Sequence, residues 1–262
     1  MKENLQIKKS YVETSYGVIH YRTAGNIDKP HVLLLHQTAS SSVMYESVMN
    51  LLVDKFYLFA PDTPGFGGSD FPQVKANMQL YADSLREAAD NSGLDNPFVF
   101  GHHTGASIAV QMEFDRPFAK KMILSGPPLL TREQKNEFKN KTEPIVIKES
   151  GSHLMKLWQR FQLKDPNGKL ELRHREYVLN LKAGERYHEA YHAVFDHDFE
   201  MQIAALACPI LVMAGDSDTL KDSLEPAFNA LQNGTIKRLI GNTYICDQSP
   251  DVVAAIICEY FV

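Results

Sequence analysis

The stretch FVFGHHTGASIAV, from Phe98 to Val110, carries two adjacent histidines between glycines. His103 is central, with Gly101 two residues before it and Gly105 two after. An imidazole has an unperturbed pKa near ~6.5, so proton transfer is its natural work at neutral pH. It can also act as a nucleophile, though its acyl adduct is itself labile. Its neighbour His102 is expected to point elsewhere and to pack or hydrogen-bond beneath the strand. A second pattern, HEAYH at 188–192, sets His188 and His192 four residues apart with Glu189 between them. On a helix this H-E-x-x-H spacing can present two imidazoles to zinc and a carboxylate to its bound water. His197 or Asp196 would have to complete the ligands, and no metzincin-type extension follows. The pattern is short and the chain has ten histidines, so the preferred reading is a solvated or pocket-facing helix without a metal.

These residues need a scaffold, and the first half of the chain alternates strand and helix signals. YVETSYGVIHYRTA (11–24) reads as two strands around a turn at Gly17, and HVLLLH (31–36) as a strand buried on both faces. A helix over 43–54, the strand FYLFAPD (56–62) and a helix around 76–92 follow. Next come the strand at 98–101, a helix over 104–115 and the strand KMILSG (121–126). Such alternation implies a mostly parallel central sheet flanked by helices, an α/β fold. From 128 to 206 the pattern turns irregular and helical, with a turn at DPNG; it resumes with CPILVMAG (208–215), a helix near 222–232, IKRLIG (236–241) and a last helix from about 250. The expected organisation is a core made of 1–127 and 207–262, with a helical lid inserted at 128–206.

The 262 residues suffice for one large domain with an insertion. A net charge of −5 without a basic tract excludes a phosphate footprint, and so a nucleic-acid partner. QIKKSY and KNEFKNK read as solvated faces. No apolar run reaches membrane-spanning length and the N-terminus lacks a signal-peptide core, so no membrane association is expected. Cys208, Cys246 and Cys258 have no metal-like spacing and read as free thiols of a reducing cytosol. The expected partner is a small-molecule substrate or ligand; oligomeric state is open, a homodimer included.

LLLHQTASSS, APDTPGFGGSD, VFGHHTGASIAV, LVMAGDSD and SPDVVAAIICEYF occur in the order of the α/β-hydrolase superfamily, which the chain resembles over essentially its whole length. APDTPGFGGSD is similar to the loop of its haloalkane dehalogenase-like and epoxide hydrolase-like members. The resemblance makes His103 the apex of the nucleophile elbow, where serine, aspartate or cysteine is usual. It assigns the acid to Asp218, with Asp216 as its neighbour, and an N-cap role is also open to this aspartate. The usual base histidine would fall at Thr243, and no histidine follows His197, so a Ser-His-Asp arrangement is unavailable. The backbone amides of Thr38 and Thr104 take the family's two oxyanion-hole positions. His36 and Gln37 replace its usual His-Gly pair, His36 being more often structural than catalytic. In the insertion, His153 and Trp158 line the cavity or pack the helices, while Tyr187, Tyr191 and Phe195 have the spacing of a buried face.

The expected protein is an enzyme on this fold acting on a small organic molecule. His103 serves as general base or atypical nucleophile, supported by Asp218, in a hydrolase or else a lyase or isomerase. A catalytically silent small-molecule-binding protein is the alternative, and the HEAYH metal-dependent hydrolase ranks third. No organic cofactor is implied, because the glycine turn carries no phosphate-binding pattern.

Overall fold

The computed structural model describes residues 7–262. Eight strands form one sheet: β1 (Lys8–Thr14), β2 (Gly17–Ala24), β3 (His31–Leu35), β4 (Tyr57–Pro61), β5 (Phe98–His102), β6 (Met122–Ser125), β7 (Ile210–Ser217) and β8 (Gly234–Asn242). Their spatial order is β1-β2-β4-β3-β5-β6-β7-β8. The first two strands form an antiparallel hairpin, and β2 meets β4 antiparallel. All later pairings are parallel. The hairpin begins at Lys8, earlier than sequence indicates, because the edge strand is solvated and its basic residues face water.

Helices cover both faces. α1 (Glu46–Leu52) precedes β4, α2 (Met78–Asn91) precedes β5, and α3 (Thr104–Asp115) follows it. Between β6 and β7 the chain makes α4 (Arg132–Lys141), α5 (Ser152–Lys164), α6 (Leu170–Ala183), α7 (Tyr187–Asp196) and α8 (Phe199–Ala205). The last elements are α9 (Leu224–Ala230), α10 (Ile245–Gln248) and α11 (Pro250–Phe261). β3 shows why a strand can be apolar at nearly every position. Leu33 and Leu35 join a core with α2, α3, α7 and α8, while Val32 and Leu34 join another with α1 and α11. Among the described residues, no helix is long and apolar enough to cross a membrane.

The elbow glycines have steric reasons. A Cβ on Gly105 would stand 2.0 Å from the Leu35 carbonyl oxygen, and one on Gly101 would stand 2.5 Å from that of Gly105. Any side chain at either position would push α3 away from β5 and β3. Both glycines thus let the helix start directly against the sheet, with His103 between them.

Candidate active site

His103 holds φ +51° and ψ −110° at the start of α3, a backbone that residues other than glycine rarely adopt. The turn throws its imidazole toward the carboxyl end of β7. Nε2 lies 3.0 Å from Asp218 Oδ2. The ring lies over Gly126, where a Cβ would come within 2.4 Å of His103 Cδ2, so a glycine after β6 is part of what lets the ring reach the acid. The His103 side chain retains 12% exposure, whereas that of Asp218 retains 1%.

Asp218 divides its oxygens: Oδ2 faces His103, and Oδ1 accepts from the Leu220 amide at 2.7 Å. Burial alone would push its carboxyl up. The electrostatic attraction and hydrogen bond of His103, together with the Leu220 amide, outweigh burial and hold it well below the usual carboxylate range. A carboxylate only accepts, so the Nε2 proton belongs to His103, and Nδ1 is left as the basic atom. Asp216 is exposed and accepts from the Gly241 amide at 3.1 Å, tying β7 to β8.

His102 lies under His103, ring centroids 4.3 Å apart. Its Nε2 meets the Thr243 carbonyl oxygen at 2.8 Å and its Nδ1 meets the Ser125 hydroxyl at 2.9 Å. A carbonyl can only accept, so Nε2 carries the proton and Nδ1 accepts from Ser125. Burial, then repulsion from His103, brings its pKa down to about 3, so the ring is neutral. Thr243, the position at which a base histidine would be expected, is buried, and its hydroxyl is 3.3 Å from that of Thr219. The imidazole on the acid therefore comes from the elbow rather than from the loop after β8.

The amide of Thr38, expected from the sequence as an oxyanion donor, donates to Thr104 Oγ1 at 3.3 Å and so already has a partner inside the protein. Gln37 and Thr38 line a narrow cleft whose other walls include Arg160, Lys164 and Tyr191, with room for little more than a water molecule. His36 is not part of that wall. Its Nδ1 donates to the Gln37 carbonyl at 2.8 Å and its Nε2 accepts from the Thr63 amide at 2.9 Å, so both nitrogens are occupied and the second ties the ends of β3 and β4 together.

Of the two roles expected for His153 and Trp158, packing is the one Trp158 takes, and neither residue lines this cleft. The inner face of α5 carries Leu157, Arg160, Phe161 and Lys164, spaced three and four apart, and the last three line the cleft. Trp158 is turned off that face and packs edge-on to Tyr177 at 5.3 Å. His153 borders a separate groove and accepts from the Lys148 amide at 3.2 Å. Sequence reading missed Arg160, Lys164, Glu176 and Asn180 as wall residues; the three-and-four spacing on α5 was the available signal. Of the aromatic trio, Tyr187 and Phe195 are buried. Tyr191 reaches the cleft, its hydroxyl donating to the Thr38 carbonyl at 3.0 Å.

In HEAYH, the Glu189 carboxylate accepts two bonds of 2.8 Å from Arg186 and one of 3.0 Å from the Ala76 amide. It fastens α7 to the segment before α2, and so is not directed at a water between the two histidines. His188 Nδ1 donates to the Glu185 carbonyl at 2.8 Å. Among the described residues no three His, Cys, Asp or Glu side chains gather as a metal set.

A profile of the alpha/beta hydrolase fold matches residues 30–225. A soluble epoxide hydrolase from Corynebacterium sp. (strain C12) is 33% identical over 97 residues, which is 37% of this chain and 33% of that protein. Haloalkane dehalogenase 2 from Mycobacterium tuberculosis (strain ATCC 25618 / H37Rv) is 31% identical over 117 residues, 44% of this chain and 40% of that one. The chain thus spans about a third of the length of the relatives it matches. Among solved structures, a hydrolase from Pseudomonas aeruginosa PA01 superposes with a TM-score of 0.82 at 18% identity, covering 97% of this chain and 98% of the other. A thermophilic esterase from Thermogutta terrifontis gives 0.79 at 21%, covering 98% of each. At such identities the likeness is one of fold.

Proposed function

The chain belongs to the α/β-hydrolase fold family, and we propose that within it His103 and Asp218 work as a general-base pair on a small carbonyl compound. The observation that carries this is the 3.0 Å contact between His103 Nε2 and Asp218 Oδ2, made from the elbow itself. Asp218 keeps the proton on Nε2 and stabilises the imidazolium, so Nδ1 can take a proton from water. The water oxygen forms its bond to the carbonyl carbon of an ester or lactone, and the carbonyl oxygen becomes an oxyanion. The amides of Thr38 and Thr104 receive that charge, Thr38 exchanging the Thr104 hydroxyl for it. On collapse the bond to the leaving alcohol breaks, and the proton returns from Nδ1 to that oxygen. No acyl-enzyme forms. The same base supports proton abstraction beside a carbonyl, the lyase or isomerase form of the reading.

The inserted segment 128–206 serves as the lid over a core of 1–127 and 207–262. Support comes from two links to the loop after β3: Tyr191 to the Thr38 carbonyl, and the Ser40 hydroxyl to Glu176 at 3.1 Å. The cytosol as working place fits the three free cysteines.

Turnover of an ester, lactone, epoxide and aldol-type panel by the wild type and His103→Ala tests the proposal. Wild-type turnover reduced by roughly 10²–10⁴ in the variant is expected; unchanged turnover overturns it. The occupied Thr38 amide favours a second reading, a ligand-binding protein without catalysis. Saturable affinity combined with no turnover by the wild type would establish that instead.

A further inference from the structure

Two cations wall the cleft without an anion of their own. Arg160 and Lys164 stand four apart on α5, on the face that also presents Phe161 to the cleft. Among the described residues neither pairs with a carboxylate. Arg160 donates to the Tyr187 hydroxyl at 2.8 Å, and the Lys164 ammonium stands 5.0 Å from the centre of the Tyr244 ring. Both residues are exposed to solvent.

The one carboxylate in the same wall is already taken. Glu176 Oε1 accepts from Arg175 at 2.9 and 2.6 Å and from Ser40 at 3.1 Å. Arg175 closes on Asp247 as well, at 2.6 and 2.8 Å, so two acids converge on that one guanidinium. Lys164 feels the fields of Glu176, Asp218 and Asp165 without touching any of them. Thr38, which shares the cleft wall with both cations, bonds through its amide to Thr104, the residue next to His103. Arg160 also borders the outer groove of about 710 Å³, so it stands where a molecule would pass from the surface to the cleft.

We propose that Arg160 and Lys164 are the receptor for an anionic group on the substrate, and that this group is a carboxylate. A planar guanidinium and a mobile ammonium one helical turn apart can together satisfy both oxygens of a carboxylate, which a neutral amide cannot match. The inference rests on the reading of this site as the place where His103 acts, and it names the substrate class: a small carbonyl compound that also bears a carboxylate. The two residues are specificity determinants, and the chemistry stays with His103.

The test titrates the intact protein with hexanoate and with hexanamide, its neutral isostere, by ligand-observed NMR. Hexanoate should bind at least tenfold more tightly. Arg160→Gln/Lys164→Met should bring the two affinities within about twofold, and each single variant should lose part of the preference, with near-UV circular dichroism verifying the fold. Equal binding of acid and amide, binding of neither, or a preference that survives in the double variant overturns the proposal. His103→Ala separates the two ideas. A carboxylate preference kept in that variant, with turnover also unchanged, removes the base and leaves the receptor. Parity of acid and amide with His103-dependent turnover removes the receptor and leaves the base.

Discussion

Asp62 and Asp218 each follow a strand of the sheet, each is nearly inaccessible, and each holds a histidine. Asp62 Oδ2 meets His20 Nδ1 at 2.7 Å, a shorter contact than the 3.0 Å between Asp218 and His103. Distance alone would not choose the pair proposed to act. Asp62 also accepts from the Ser42 amide at 2.6 Å and the Gly68 amide at 2.8 Å, so its carboxylate locks two loops in place. His20 approaches from the regular extended backbone of β2. His103 approaches from a left-handed residue on a turn that glycine would occupy without strain. Strain of this kind persists only where the surroundings impose it, and it gathers at working sites. A histidine–aspartate contact is therefore not distinctive in this molecule; the strained backbone that delivers His103 is what supports the proposal that its pair acts.

The comparison breaks most visibly at Asp62. Asp62→Ala strands two amides and a histidine, and removing one partner of a buried charged network costs about 3–5 kcal/mol. Urea unfolding should register a loss of that size; a loss below about 1 kcal/mol would make the two aspartates equivalent. His103→Gly should cost folding less. Relief of the positive φ offsets part of the cost of leaving the buried Asp218 without its histidine, so the loss of stability should stay below about 3 kcal/mol, while any kcat the wild type shows falls by roughly 10²–10⁴. A larger loss of stability in that variant, with kcat unchanged, would mean that the strained turn is held for folding alone.

The sheet was legible in the chain because its signals are local. Val32 to Leu35 are apolar without interruption, and Gly101 and Gly105 bracket the apex where any Cβ would strike backbone. Asp218 was named through the family resemblance alone, and the fold sets its carboxylate 3.0 Å from His103 Nε2. The cleft wall was not. Arg160, Lys164 and Glu176 look like a solvated helix face until the tertiary fold lays them against Gln37 and Thr38. Trp158 drew attention by its size, but helical register turns it away from the face that Leu157 and Phe161 define. The bond from the Thr38 amide to the Thr104 hydroxyl joins residues 66 apart in sequence, a proximity no spacing rule contains.

The buried histidine beneath the elbow, His102, should also show itself through pH. His102 has a folded pKa of about 3 from burial and from His103, below its unfolded value near ~6.5. Between these values the unfolded chain binds the extra proton, so stability is complete above about pH 6.5 and declines as pH falls toward 3. One group contributes a slope of up to about 1.4 kcal/mol per pH unit. His36, also lowered by burial, adds to the slope, and Asp62 and Asp218, held low, withdraw their share only below about pH 4. His102→Gln should flatten the curve between pH 6.5 and 4. A curve that stays as steep in the variant would assign the slope to other groups.

The smallest effect, and the one that sharpens the contrast between enzyme and silent receptor, belongs to Thr104. Its hydroxyl accepts from the Thr38 amide at 3.3 Å, a long bond by the standards of N–H donors. Thr104→Ala leaves the backbone amides in place and removes only that acceptor. Folding should lose about 0.5–1.5 kcal/mol, the net worth of one such bond. If an oxyanion takes the Thr38 amide during turnover, the wild type must first give up the same bond, so the variant should show kcat raised roughly two- to tenfold. Measured under saturating substrate, a fall in kcat would make the hydroxyl itself a working group. No change at all would mean that the amide never meets the reacting oxygen, and the elbow's strained imidazole would then stand beside a donor that serves only the fold.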